Sequence, residues 1–317
     1  MKSSLRKREI THPGEERLQV ATLALEFKDG FVNVMGHRLY YKTIGEPSKG
    51  TVLCLHGGPG GSHWSTINMA DMAPCGYKVV WYDQLGCGES ARLSDYSDYT
   101  IEKASDEVEG VRRELGLGNC HIWGYSYGGC LALQTVLRHP RGFRSLTVAS
   151  GYASAGELYD EVMKLVARLP PKIRDTIREY EAQGRMDNPK YAKAAGYFMR
   201  KHASDLKVVP YGLSISISGT NMELAKAMAG DSEAITTPAT GTLARWDVRR
   251  DLRRVKVPTL VTVGARDFVT PKCAKTIHEG IRGSKLVVFE KSGHNAIEKE
   301  RDLFMKTVVD FLGTVAG

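Results

Sequence analysis

Short apolar runs bounded by glycine and polar residues alternate along this chain with stretches whose apolar residues recur every three or four positions. The first pattern suits buried strands and the second suits amphipathic helices. Residues 31–34 and 38–43 flank Met35-Gly36-His37 and predict an antiparallel hairpin. Residues 51–55, Tyr77–Tyr82, 120–123, 145–149, 259–263 and Lys285–Phe289 predict further strands. Helical spacing falls at 101–115, 130–137, 272–281 and 299–312. Such alternation argues for an α/β fold, a mostly parallel sheet covered by helices.

The pattern changes between 152 and 245. Strand signals give way to amphipathic segments at 157–169, 173–183, Pro189–His202 and Met222–Ala229, punctuated by Pro170-Pro171, Asn188-Pro189 and Pro210-Tyr211-Gly212. The expected organisation is an N-terminal arm over 1–24, a core from 25–151 and 246–317, and a helical cap over 152–245. A helical insertion of that size suits a cover over a site.

Composition excludes more than it suggests. The chain has 317 residues, 42% hydrophobic and 25% charged, with a formal net charge of +8. Those fractions are ordinary for a soluble domain. No apolar run approaches the roughly 18 residues of a membrane-spanning helix. The charged start, MKSSLRKREITHPGEERLQ, has no apolar stretch of the kind a secretory signal needs. The basic residues are mixed with Asp and Glu, and no nucleic-acid motif accompanies them. Arg249-Arg250 and Arg253-Arg254 fall beside Asp247 and Asp251 on a stretch expected to be a surface helix. Cys54, Cys75, Cys87, Cys120, Cys130 and Cys273 show no metal-ligand spacing and read as reduced thiols in a cytoplasmic protein. Gly116-Leu117-Gly118 lacks the third glycine of a dinucleotide fingerprint and precedes a strand instead of following one.

The candidate chemistry centres on GYSYGG at 124–129, which sets Ser126 in the frame Gly-x-Ser-x-Gly between a strand and a helix. A serine on such a turn is exposed above the sheet edge, and the first amides of the helix face the same space. It needs a base and an orienting acid, which in a hydrolase of this topology follow in that chain in the order Ser, acid, His. His294 lies in a loop just beyond the strand ending at 289, whereas His278 falls mid-helix. Asp267 ends the strand before it; Asp247 and Asp251 are rivals that look like helix-surface residues. The glycine loop at 56–61, HGGPGG, would supply one oxyanion donor, with Gly58 favoured, and the amide of Tyr127 the other.

HGGPGG at 56–61, WYDQLGCGES at 81–90, GYSYGG, GARD at 264–267 and SGH at 292–294 together resemble the prolyl aminopeptidases, or proline iminopeptidases. RLPPKIRD at 168–175 and GTLARWD at 241–247 are similar to the tricorn-interacting branch of that family. The resemblance spans residues 25–315. It implies an α/β-hydrolase fold with a mostly parallel eight-stranded sheet and a helical cap. It also implies release of N-terminal residues, often proline, from short peptides, with no metal or organic cofactor; the charge pattern and the absence of a long apolar run leave no nucleic-acid or membrane partner expected. Glu233 aligns with a cap glutamate that pairs with the substrate ammonium in the family, and it equally reads as a surface residue of the cap. Some relatives carry a second glutamate directly after the triad aspartate. Phe268 stands there in this chain, and a more apolar pocket would admit amides, esters or lactones. Gly57 and Trp64 complete the residues expected to touch substrate, although Trp64, Tyr125 and Tyr127 suit packing equally well. Asp83 and Ser90 of the 81–90 loop are expected to brace it. The alternative function is an amidase, esterase or lactonase with the same triad. Epoxide hydrolases and dehalogenases would carry Asp in place of Ser126, and a non-catalytic binding module would not need all four catalytic parts.

Overall fold

A computed structural model describes residues 25–204, 206, 208–230 and 234–315. The arm expected over 1–24 and the candidate Glu233 lie outside the described residues. β1 (Lys28–Val34) and β2 (His37–Ile44) form the hairpin, followed by β3 (Gly50–Leu55), β4 (Tyr77–Tyr82), α1 (Ile101–Glu114), β5 (Cys120–Tyr125), α2 (Tyr127–Arg138) and β6 (Phe143–Ala149). Five helices come next: α3 (Ala155–Ala167), α4 (Pro171–Ala182), α5 (Pro189–His202), α6 (Tyr211–Ser218) and α7 (Met222–Ala229). The chain then returns through β7 (Thr259–Gly264), α8 (Pro271–Gly280), β8 (Lys285–Phe289), α9 (Ala296–Lys299) and α10 (Arg301–Gly313).

The eight strands form one sheet in the order β1-β2-β4-β3-β5-β6-β7-β8. β1 and β2 pair antiparallel, as do β2 and β4, and the remaining pairs are parallel. This is the mostly parallel sheet that the strand pattern predicts. Every residue of β5 and of β7 is buried, as expected for central strands covered on both faces. Leu53, Leu55, Ile122, Leu131 and Val261 belong to the core under α1, α2 and α8. Val52, Trp81, Trp123, Phe289 and Phe304 belong to the core on the other face, under α10. The inserted helices hold a smaller core of their own from Val162, Val166, Ile177, Tyr191 and Phe198, and Phe268 packs against it.

His63–Cys75 and α6 escape the sequence pattern, for different reasons. His63–Cys75 is a 3₁₀ segment. Four of its five buried positions, His63, Thr66, Met69 and Met72, recur every third residue, the period of that helix, and two of those four are polar. In α6 the apolar residues Leu213, Ile215 and Ile217 alternate as in a strand. Instead, the small residues Gly212 and Ser216, four apart, turn inward: a Cβ at Gly212 would stand 2.5 Å from Trp64 O, and Ser216 Oγ accepts from Ser62 N at 3.0 Å. Around Arg249 to Arg254 the expected surface helix is only a turn, with a three-residue 3₁₀ segment at Leu252–Arg254.

On α1, Glu107 is buried beneath the loop that follows β4. Its carboxylate accepts from Leu85 N at 3.2 Å and from Tyr99 Oη at 3.0 Å. Burial outweighs these bonds and pushes its pKa from 4.5 up to about 7. Between those values the native state holds a proton that the unfolded chain releases. The stabilising effect of this proton is therefore complete below pH 4.5 and lost as pH rises through about 7. Urea unfolding should show Glu107→Gln gaining about 3 kcal/mol on the wild type between pH 4.5 and pH 8. A difference that does not change with pH would contradict this assignment.

Candidate active site

The turn from β5 into α2 is built by close backbone approach. A Cβ at Gly124 would stand 1.9 Å from Gly128 O, and one at Gly128 would stand 2.3 Å from Leu55 O and 2.5 Å from His56 O. Only glycine fits either place, which explains the flanks of Gly-x-Ser-x-Gly. Ser126 between them is held at φ 57° and ψ −124°, a strained conformation for a residue with a side chain. Ser126 N donates to Ala149 O at 2.8 Å, and Ser126 O accepts the first bond of α2, from Gly129 N at 2.8 Å. The amide of Tyr127 precedes these first intrahelical bonds and belongs to the positive end of α2.

His294 reaches this turn from the loop after β8. Its Nε2 stands 2.9 Å from Ser126 Oγ, and its Nδ1 stands 2.8 Å from Asp267 Oδ1. A carboxylate accepts, so Nδ1 carries the proton and Nε2 is left as the acceptor for the serine hydroxyl. Asp267, fully buried, also accepts from Val269 N at 2.8 Å through the same oxygen. The imidazole lies between two aromatic rings, Phe268 at 4.3 Å and Tyr125 at 5.1 Å between centroids. This fixes its plane and places π faces beside a ring that gains charge when it takes a proton. The backbone of His294 is held too. Its N–H donates to His202 O at 3.0 Å, and Asn295 N donates to Ala203 O at 3.2 Å, so the C-terminus of α5 grips the histidine loop. Tyr125 Oη, whose phenol burial keeps neutral, donates to the Asn295 side chain.

The glycine loop and the 81–90 loop brace each other. His56 Nδ1 donates to Gly57 O at 2.8 Å, so its Nε2 accepts from Gln84 N at 3.1 Å. Burial holds this imidazole neutral, below its ordinary pKa. Asp83 accepts from His63 N at 2.8 Å and His63 Nδ1 at 2.9 Å through one oxygen, and from Glu89 N at 3.0 Å through the other. Ser90 Oγ donates to Asp83 O and accepts from Tyr40 N at 2.9 Å. These residues brace loops and stand apart from the reacting atoms.

A cavity of about 440 Å³ opens over Ser126. Gly57, Gly58, Tyr125, Phe268, His294 and Asn295 line it from the core side. Gly57 abuts the serine: a Cβ there would stand 3.3 Å from Ser126 Cβ. The inserted helices close the other side with Met199, Arg200 and Ala203 of α5 and the following turn, and with Leu213, Ser216 and Ile217 of α6. None of these stands out in the sequence, because α6 alternates like a strand and α5 gives no sign of which face looks inward. Trp64, for which contact with substrate and packing are both expected, takes the packing role in this structure. It does not line the cavity; its ring packs 5.0 Å from His63 and edge-on to Tyr211 at 6.3 Å. The ring of Tyr127 is likewise buried in the core, near Met228. Asp247 pairs with Arg249, and Asp251 with Arg254, away from His294. Among the described residues no group of three or more His, Cys, Asp or Glu side chains is arranged to hold a metal ion.

The turn geometry makes a direct prediction. Gly128→Ala drives a methyl into backbone carbonyls and should lower kcat/KM by about 100-fold or more through displacement of Ser126. Gly313→Ala, at the end of α10 with open space around it, should leave activity unchanged and the melting temperature unchanged or slightly raised. Equal activity of the two variants would contradict the account.

Residues 50–300 match the family model described as the alpha/beta hydrolase fold. The chain is 36% identical to proline iminopeptidase of Saccharolobus solfataricus over 295 residues, 92% of this chain and 94% of that one. It is 33% identical to proline iminopeptidase of Thermoplasma volcanium, covering 90% and 96% of the two chains. The crystal structure of proline iminopeptidase of Mycobacterium smegmatis superposes with a TM-score of 0.84 at 29% identity, covering 90% of this chain and 98% of that one. With this fold, and with similarity that runs through nearly the whole length, the chain belongs to the proline iminopeptidase family of α/β hydrolases.

Proposed function

We propose that the protein is a serine aminopeptidase that releases N-terminal proline, or another small apolar residue, from short peptides through an acyl-enzyme on Ser126. The reading rests on one observation above others: the unbroken chain from Ser126 Oγ to His294 at 2.9 Å and from His294 to buried Asp267 at 2.8 Å, at the floor of a cavity.

In this reading Ser126 Oγ attacks the carbonyl carbon of the N-terminal residue while His294 Nε2 takes the hydroxyl proton. The amides of Gly58 and Tyr127 hold the oxyanion that forms. Asp267 stabilises the imidazolium and keeps its orientation. His294 then gives its proton to the nitrogen of the departing peptide, and the C–N bond breaks to leave an ester on Ser126. Water, deprotonated by His294, attacks that ester and frees the amino acid. Glu233, outside the described residues, is proposed to pair with the substrate ammonium. The six unpaired cysteines support a reducing, cytoplasmic setting.

A second reading has its own support. Among the described residues lining the cavity there is no carboxylate, and Phe268 stands where a second acid would recognise an amine. An amidase, esterase or lactonase working with the same three residues would need none.

The substrate panel separates the two. Pro-, Ala- and Leu-anilides should be cleaved, and their N-acetylated forms should be at least about 100-fold poorer substrates. Strong cleavage of blocked compounds and simple acyl esters, with none of the free-amine anilides, would favour the second reading. Ser126→Ala should lower kcat by at least about 1000-fold on whichever substrates are turned over. Wild-type turnover by that variant would refute both.

A further inference from the structure

The walls of the cavity carry one permanent charge among the described residues, the guanidinium of Arg200 on α5. It has no ion pair among the described residues, whereas Lys164 on α3 pairs with Glu161 at 2.6 Å and Arg174 on α4 with Asp175 at 2.9 Å. The surfaces beside it are apolar and open. Met199, Val209 and Ile217 line the cavity and are still 45%, 51% and 61% exposed, and Tyr211, next to them in the chain, is 78% exposed. An exposed apolar surface continuous with a reactive serine is a binding surface.

We infer that Arg200 anchors the free C-terminal carboxylate of a short peptide whose departing residue is apolar. The inference rests on the aminopeptidase reading above and names its substrate class. The acyl side of such a substrate carries an ammonium, which an unpaired guanidinium repels. The anionic group that every short peptide carries is the carboxylate of its departing portion. A guanidinium can take that group by two parallel N–H···O bonds, whose fixed fork matches a carboxylate. Met199, Val209 and Ile217 would cover the side chain of the departing residue. Each further residue moves the carboxylate by about 3.3–3.6 Å, so the anchor also selects chain length.

The test compares kcat/KM for Pro-Leu and Pro-Leu-NH2, then for the same pair lengthened by one, two and three leucines, with a proline anilide alongside. The free acid should be preferred about 5- to 10-fold at the favoured length, and the preference should fall to about 1 as the peptide grows. Arg200→Glu should reverse the preference towards the amide and improve Pro-Lys-NH2 relative to Pro-Leu-NH2. Arg200 is exposed on a helix, and Arg200→Gln, which should abolish the preference without reversing it, serves if the charge reversal does not fold. An acid-to-amide ratio near 1 at every length, or one unchanged in Arg200→Glu, overturns the inference while turnover of the anilide leaves the aminopeptidase reading standing. No turnover of any free-amine substrate, the anilide included, overturns both.

Discussion

Where β5 turns into α2, the backbone passes so close to the ends of β3 and β5 that no side chain fits at Gly124 or Gly128. This crowding is what the rest of the site depends on. It holds Ser126 at a positive φ of 57°, with its hydroxyl in reach of His294, and starts a helix with Tyr127 as its first residue. A looser turn would leave the serine in an ordinary conformation, facing the core or another loop. The strain is held by hydrogen bonds to the neighbouring strand, through Ser126 N to Ala149 O, and to the start of α2. Local strain persists only where surrounding structure over-determines it, and here three strands and a helix do so.

The histidine comes from far along the chain and is positioned by a different means. Nothing in its own loop fixes the ring. Asp267 sets its tautomer, Phe268 and Tyr125 set its plane, and the last carbonyls of α5 hold its backbone. Those carbonyls belong to the negative end of a helix and accept from the backbone N–H groups of His294 and Asn295. The inserted helices are therefore part of the framework of the site as well as a wall of its cavity. The same α5 that supports His294 presents Met199 and Arg200 to the cavity, so whatever binds there presses on the element that holds the base.

How far the sequence could be read follows from which forces leave a local trace. Strands buried on both faces are continuous apolar runs, and the steric demand at Gly124 and Gly128 is written as two glycines around a serine. Asp267 and His294 could be singled out because each lies in a loop just beyond a strand, Asp267 after β7 and His294 after β8. The 3₁₀ segment after β3 was not, because two of its buried residues, His63 and Thr66, are polar, His63 bonding to Asp83 and Thr66 Oγ1 donating to His63 O within the segment. α6 was not, because its alternating Leu213, Ile215 and Ile217 mimic a strand while its packing face is glycine and serine. The cavity's outer wall was invisible for the same reason: Leu213 and Ile217 reach it only once α6 is known to be a helix docked on Ser62 and Trp64. Trp64 misled in the opposite direction, since closeness in sequence to the glycine loop does not say which way a side chain on a helix turns.

The central claim is that Ser126 is the nucleophile and His294 its base. A fluorophosphonate reacts only with an activated serine, so covalent labelling followed by peptide mapping tests it most directly. The account predicts one adduct, on Ser126, formed by the folded wild type and lost in His294→Ala. An adduct on a different residue, or none at all in folded protein, would contradict it.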